Sequence, residues 1–186
     1  GRKRLSLPTS EIKKLIINQI NILSSIANNK KMKVTHVKPH GALNNMACEN
    51  YDLAKIISES IIEINKELIF LVPTGSQMEK AGKKLEMKIA TEIFADRNYE
   101  DDGNLVSRSK NNALITDPEI AKNHVIKMVK SQALNCYSGK QISCDIDSIC
   151  VHGDGKTAVK TADEIRKGLI KSGVTLRPLD QMSKFA

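Results

Sequence analysis

Leu68-Ile69-Phe70-Leu71-Val72, closed by Pro73-Thr74-Gly75, is the stretch whose reading decides the fold. Five consecutive apolar residues are too few for an ordinary helix and leave no polar face. They read as a strand covered on both sides, as in parallel sheets. The flanks agree. Upstream, Leu53, Ile56, Ile57, Ser60, Ile61 and Ile64 recur at helical spacing, and downstream a short helix over 78–85 leads to a second strand at 88–94.

Moving outward, Ile12, Leu15, Ile16, Ile20, Leu23 and Ile26 mark a helix after Pro8-Thr9-Ser10, and a short strand follows at 34–38. Residues 95–108 are polar and too long for a simple connection, so they form a candidate functional loop. Asp117-Pro118 opens another helix, with Asp as cap and Pro at the first helical position. A strand at 146–151, a helix over 157–172 closed by Gly173 and a final strand at 174–176 complete the pattern. Strand and helix alternate, which predicts an α/β fold with a mostly parallel sheet and right-handed crossovers. With no repeat, linker or change of composition, one domain over residues 1–186 is expected.

Composition narrows the function. Of 186 residues, 40% are hydrophobic but only 3% aromatic, so the core is built from Ile, Leu, Val and Ala. No apolar run is long enough to span a membrane. The basic start, Gly1 to Leu7, lacks the apolar run of a signal peptide and lacks a Met. The net charge of +8 comes from lysines spread over helix faces, with no aromatic platform for stacking bases. Solvated faces, not a nucleic-acid surface, are the expectation, and the excess charge helps to hold an anionic substrate. Cys48, Cys136, Cys144 and Cys150 show neither a CxxC pair nor zinc spacing, which fits a reduced cytoplasmic protein. No lowered pKa can be argued for any of them, so a cysteine nucleophile is the less favoured reading.

Three polar motifs follow strands. They are Lys38-Pro39-His40-Gly41, then Glu92 with Asp96-Arg97, then His152-Gly153-Asp154. Each alone reads equally well as a turn or a local ion pair. Parallel α/β folds build their sites from loops at the carboxyl ends of strands, so the shared position points to a site. The residue types suit hydrolysis of an amide or acyl bond. A carboxylate or neutral His activates water, and Lys or Arg holds an anion or a developing oxyanion. His36, His40, His152 and Asp154 are eligible metal ligands, but they form no tight triad, so no metal is expected.

At these motifs the chain resembles the LamB/YcsF family. The matching segments are His36-Val37-Lys38-Pro39-His40-Gly41-Ala42-Leu43, Glu92-Ile93-Phe94-Ala95-Asp96-Arg97-Asn98-Tyr99 with Asp102-Gly103 and Leu105, and Ser148-Ile149-Cys150-Val151-His152-Gly153-Asp154. The opening Gly1-Arg2-Lys3-Arg4 resembles the end of a Gly/Arg-rich loop of the family. The resemblance implies an incomplete, seven-stranded β/α barrel similar to the glycoside hydrolase and deacetylase fold. It implies an ATP-dependent hydrolase that opens 5-oxo-L-proline to L-glutamate together with B and C subunits. ATP is then a co-substrate handled with those partners, and a homo-oligomer is possible.

On that resemblance Asp96, His40 and Lys38 are the catalytic candidates, and Arg97, Glu92, His152, Asp154 and Arg108 the substrate-binding ones. Two positions depart from the family: Asn44 stands where Tyr is usual, and Ser107 where Pro is usual. The family's first strands, with a Gly-Phe-His-Ala-Gly-type loop, have no counterpart here, so the chain is expected to be truncated at its amino terminus. Two alternatives stand beside this reading: a metal-dependent deacetylase or amidohydrolase of related fold, and a non-catalytic truncated subunit.

Overall fold

The computed structural model describes residues 3–111 and 113–185. Gly1 and Arg2, the start of the segment that resembles a Gly/Arg-rich loop, lie outside the described residues. Two compact units divide the chain: residues 1–90 with 178–186, and residues 91–177.

In the first unit the elements are α1 (Thr9–Asn29), β1 (His36–Val37), α2 (Gly41–Glu49), α3 (Tyr51–Ile64), β2 (Ile69–Pro73), α4 (Gln77–Lys84) and the start of β3 (Ile89–Phe94). β1 lies parallel to β2, His36 beside Ile69 and Val37 beside Phe70. The Phe70 N–H donates to the Lys88 carbonyl at 2.7 Å, which brings in the segment leading to β3. Every residue of β2 is buried, and the strand alternation explains why. Phe70 and Val72 join Ile57, Ile61 and Met78 in one cluster, while Ile69 and Leu71 join Ala90 and Phe185 in another. The covered strand expected from the sequence is therefore present. Its second cover comes from the carboxyl-terminal segment around a short 3-10 turn, Leu179–Gln181.

Local chemistry sets the helix ends. Asn50 caps α3 by accepting the Leu53 N–H at 3.0 Å, and Ser76 caps α4 by accepting the Glu79 N–H at 3.2 Å. Gly75, which ends the turn after β2, has φ +75°, a conformation that an L side chain adopts only under strain.

The second unit holds the end of β3, α5 (Pro118–Ser131), β4 (Ala133–Asn135), β5 (Gln141–Ser143), β6 (Ser148–Cys150) and α6 (Ala158–Lys171). Glu92, Ile93 and Phe94 of β3 run parallel to Ser148, Ile149 and Cys150 of β6. Asp117 caps α5 as its position before Pro118 requires, accepting from Glu119 N at 2.8 Å and Ile120 N at 3.0 Å. Gly173 closes α6 at φ +84°; its N–H donates to Ile170 and the next N–H, of Val174, donates to Leu169. Those two bonds make a Schellman ending.

One expectation needs correction, and two elements stand where none was expected. The strand expected at 174–176 is absent, because Thr175 and Leu176 are exposed and cover no core. Helix α2 went unread, since Gly41, Asn44 and Asn45 give it a weak intrinsic preference and packing of Leu43, Met46 and Ala47 in the core holds it instead. The antiparallel β4–β5 hairpin also escaped reading, its strands being three residues each with Ala and Asn among them. The parallel α/β reading stands.

Candidate active site

β3 and β6 fix the site in the second unit. Their register puts Phe94 beside Cys150, so two residues further on Asp96 comes beside His152. The His152 Nδ1 lies 2.8 Å from both Asp96 carboxylate oxygens. An ionised carboxylate only accepts, so Nδ1 carries the proton and donates it. In the neutral imidazole this leaves the lone pair on Nε2. Both side chains keep some solvent contact, 27% for His152 and 21% for Asp96. The Phe94 ring stacks on the imidazole, with centroids 5.8 Å apart and planes 16° from parallel.

The loop after β3 is ordered by backbone pairing. The Ile115 N–H donates to the Asp96 carbonyl at 2.9 Å, and Arg97 forms an antiparallel bridge with Leu114. Arg97 is buried and donates through one terminal nitrogen to the Val106 carbonyl at 2.7 Å. Among the described residues its Nε has no partner. Burial first, then the Arg108 charge, lowers its pKa from the ordinary guanidinium value. Glu92 is buried in β3, where Ser148 Oγ donates to it at 3.3 Å. Arg108 and Asp154 are exposed.

In the first unit, Lys38 follows β1 and is half-buried, and His40 is the exposed cap residue of α2 with no side-chain capping bond. His36 is exposed, with its Nδ1 3.0 Å from Thr35 Oγ1. Asn44, the departure from the family pattern, is buried and donates to Asn45 and Cys48. Burial, with Glu49 adding to it, pushes the Cys48 thiol up to about 12, and burial also raises Cys136. Both shifts run away from the thiolate that a nucleophile needs. Among the described residues no group of three or more His, Cys, Asp or Glu is arranged to hold a metal.

The direct Asp96–His152 pair was not foreseen, nor was the stacking of Phe94 on its imidazole. The signal for the pair was the matched position of the two residues beyond their strands, legible only once β3 and β6 are known to be neighbours.

His124, on the buried side of α5, gives a pH prediction. Burial is the main cause that lowers its pKa from the ordinary 6.5. The native state thus holds it neutral, while the unfolded chain takes up a proton as the pH falls through about 6.5. Stability from this group is complete above that pH and declines below it toward the depressed native value. Urea midpoints across that range should fall less steeply in His124→Leu than in the wild type; an identical slope would contradict this.

Fold and site together define an α/β protein with a hydrogen-bonded Asp–His pair just beyond parallel strands. The chain belongs to the LamB/YcsF family, whose model matches residues 1–184. A Clostridium beijerinckii protein, named as the A subunit of 5-oxoprolinase, is 43% identical over 182 residues, 98% of this chain and 71% of that protein. A Fusobacterium nucleatum protein of the same name is 37% identical over 184 residues, 99% of this chain and 72% of that one. Among solved structures, the lactam utilization protein from Thermus thermophilus superposes with a TM-score of 0.87 at 29% identity, covering 95% of this chain and 70% of that one. No helix among the described residues is long and apolar enough to cross a membrane.

Proposed function

We propose that this chain acts as the A subunit of an ATP-dependent 5-oxoprolinase, opening 5-oxo-L-proline to L-glutamate with B and C subunits. The Asp96–His152 pair is the observation that carries the chemistry. The names of the relatives supply the substrate.

In this reading Asp96 orients the imidazole and stabilises its protonated form, and His152 Nε2 is the base. It takes a proton from water as the water oxygen bonds to the lactam carbonyl carbon. The carbon–nitrogen bond then breaks, and the imidazolium returns the proton to the departing ring nitrogen. A five-membered lactam is a stable amide, so in this reading its carbonyl oxygen first takes the terminal phosphoryl group of ATP, with ADP leaving, in a step shared with the partner subunits. Ring opening by water then gives the γ-glutamyl phosphate, and a second water breaks its acyl–phosphate bond to release L-glutamate and phosphate. Arg97 and Arg108 supply positive charge for the substrate carboxylate or the acyl oxygen. Glu92 and Asp154 stay in the proposed set as substrate contacts. The incomplete seven-stranded barrel belongs to the same proposal.

The reading is tested by glutamate release from 5-oxoproline and ATP, using the full-length protein with its B and C partners. Release that depends on all three is expected. Its absence when the partners cleave ATP normally would overturn the proposal.

A further inference from the structure

Tyr99 lies three residues past Asp96, is 2% exposed, and stands outside the Asp96–His152 hydrogen bonds. Its hydroxyl accepts the Phe94 backbone N–H at 2.7 Å in a buried contact. That N–H sits at the last residue of β3, and its own side chain is the ring stacked on His152. Tyr99 is in turn fixed at its backbone. It bridges Leu105 on one side and Cys136 on the other, and its carbonyl accepts the Tyr137 N–H at 2.7 Å. Its ring packs with Ile93, Met128 and Leu134. A firmly anchored phenol therefore bonds the strand end whose ring is stacked on the imidazole.

We infer that Tyr99 is a positioning residue for the proton-transfer pair, acting on His152 through the Phe94 backbone and ring; this rests on the role proposed for Asp96 and His152. The phenol suits the task. A buried N–H left without an acceptor is costly, so the bond persists, and burial keeps the hydroxyl protonated by raising its pKa well above the ordinary range. Proton transfer tolerates little misalignment, and a displacement on the order of 1 Å costs about 100-fold. The smaller shift from losing one hydrogen bond should cost about 10-fold.

Tyr99→Phe removes the hydroxyl and keeps the ring. In the full-length protein with its partners, kcat should fall about 10-fold per folded molecule with KM nearly unchanged. The imidazole Nδ1–H proton of His152, read by NMR without substrate, should move from its wild-type position. A residue that merely fills the core would change the yield or the melting point and leave both readouts in place, which would overturn the inference. Should Tyr99→Phe not fold, 3-fluorotyrosine placed at position 99 decides. It keeps the ring and the hydroxyl but weakens the oxygen as an acceptor of the Phe94 N–H, and smaller changes of the same two kinds are expected; neither readout moving would overturn the inference. The NMR line needs no turnover, so it judges the positioning role even if the reaction proves to be a different one.

Discussion

Asp96→Asn is expected to lower kcat for glutamate formation by about 10²–10⁴-fold, the range that general-base catalysis contributes. The two carboxylate oxygens sit equally close to His152 Nδ1, so the wild-type pair tolerates a single arrangement of the proton. An amide offers one acceptor and one donor. With the donor turned toward the ring, the imidazole is driven to the tautomer whose Nε2 carries the hydrogen, and the base is lost. With the acceptor turned inward the tautomer survives, but the negative charge that stabilises the imidazolium is gone. Either outcome slows proton transfer, and neither disturbs the core, because Asp96 is partly open to solvent. The check is a steady-state assay with a circular-dichroism control for folding. An unchanged kcat would show that the pair serves only to hold the loop.

The largest effect on stability is expected at Phe70. This ring is fully buried in β2 and sits in the cluster shared with Ile57, Ile61 and Met78. Phe70→Ala removes the ring's transfer free energy and leaves a cavity that a rigid strand and its flanking helices cannot close, a loss of about 3–5 kcal/mol. Ile120→Ala on α5 is the contrast, since Ile120 is 60% exposed and its truncation should change stability by no more than about 0.5 kcal/mol. Urea unfolding of both variants checks the pair. Similar midpoints for the two would mean that β2 is not the centre of its unit.

Much of this architecture was readable from local chemistry. The apolar run at 68–72 announced a doubly covered strand, Asp117-Pro118 a helix start, and Gly173 a helix end. These features carry their signals within a few residues. Part of what escaped depends on partners distant in sequence: the 3-10 turn near Leu179 gains meaning only by covering Ile69 and Leu71. The β4–β5 hairpin is a local pairing, and it escaped because its strands are only three residues each. The triplet 174–176 errs the other way: Val174 packs against the core, but Thr175 and Leu176 are exposed and no strand forms.

The candidate site divides along the same line. Its residues were legible as polar groups following strands, and Asp96, Arg97 and His152 were all marked. Their division of labour was not. Asp96 and His152 are 56 residues apart in sequence, and only the register of β3 against β6 brings the carboxylate to the imidazole. Tyr99 and Phe94 look like ordinary core aromatics until the hydroxyl is found on a backbone N–H at 2.7 Å and the ring is found on His152.

The central claim is that His152 is the base that opens the lactam. Its most direct test is glutamate release from 5-oxoproline and ATP by full-length His152→Gln protein with B and C partners, beside the wild type. Glutamine fills similar space but has no basic nitrogen, so release should drop by about 10²–10⁴-fold while the protein stays folded. Release at the wild-type rate would contradict the account.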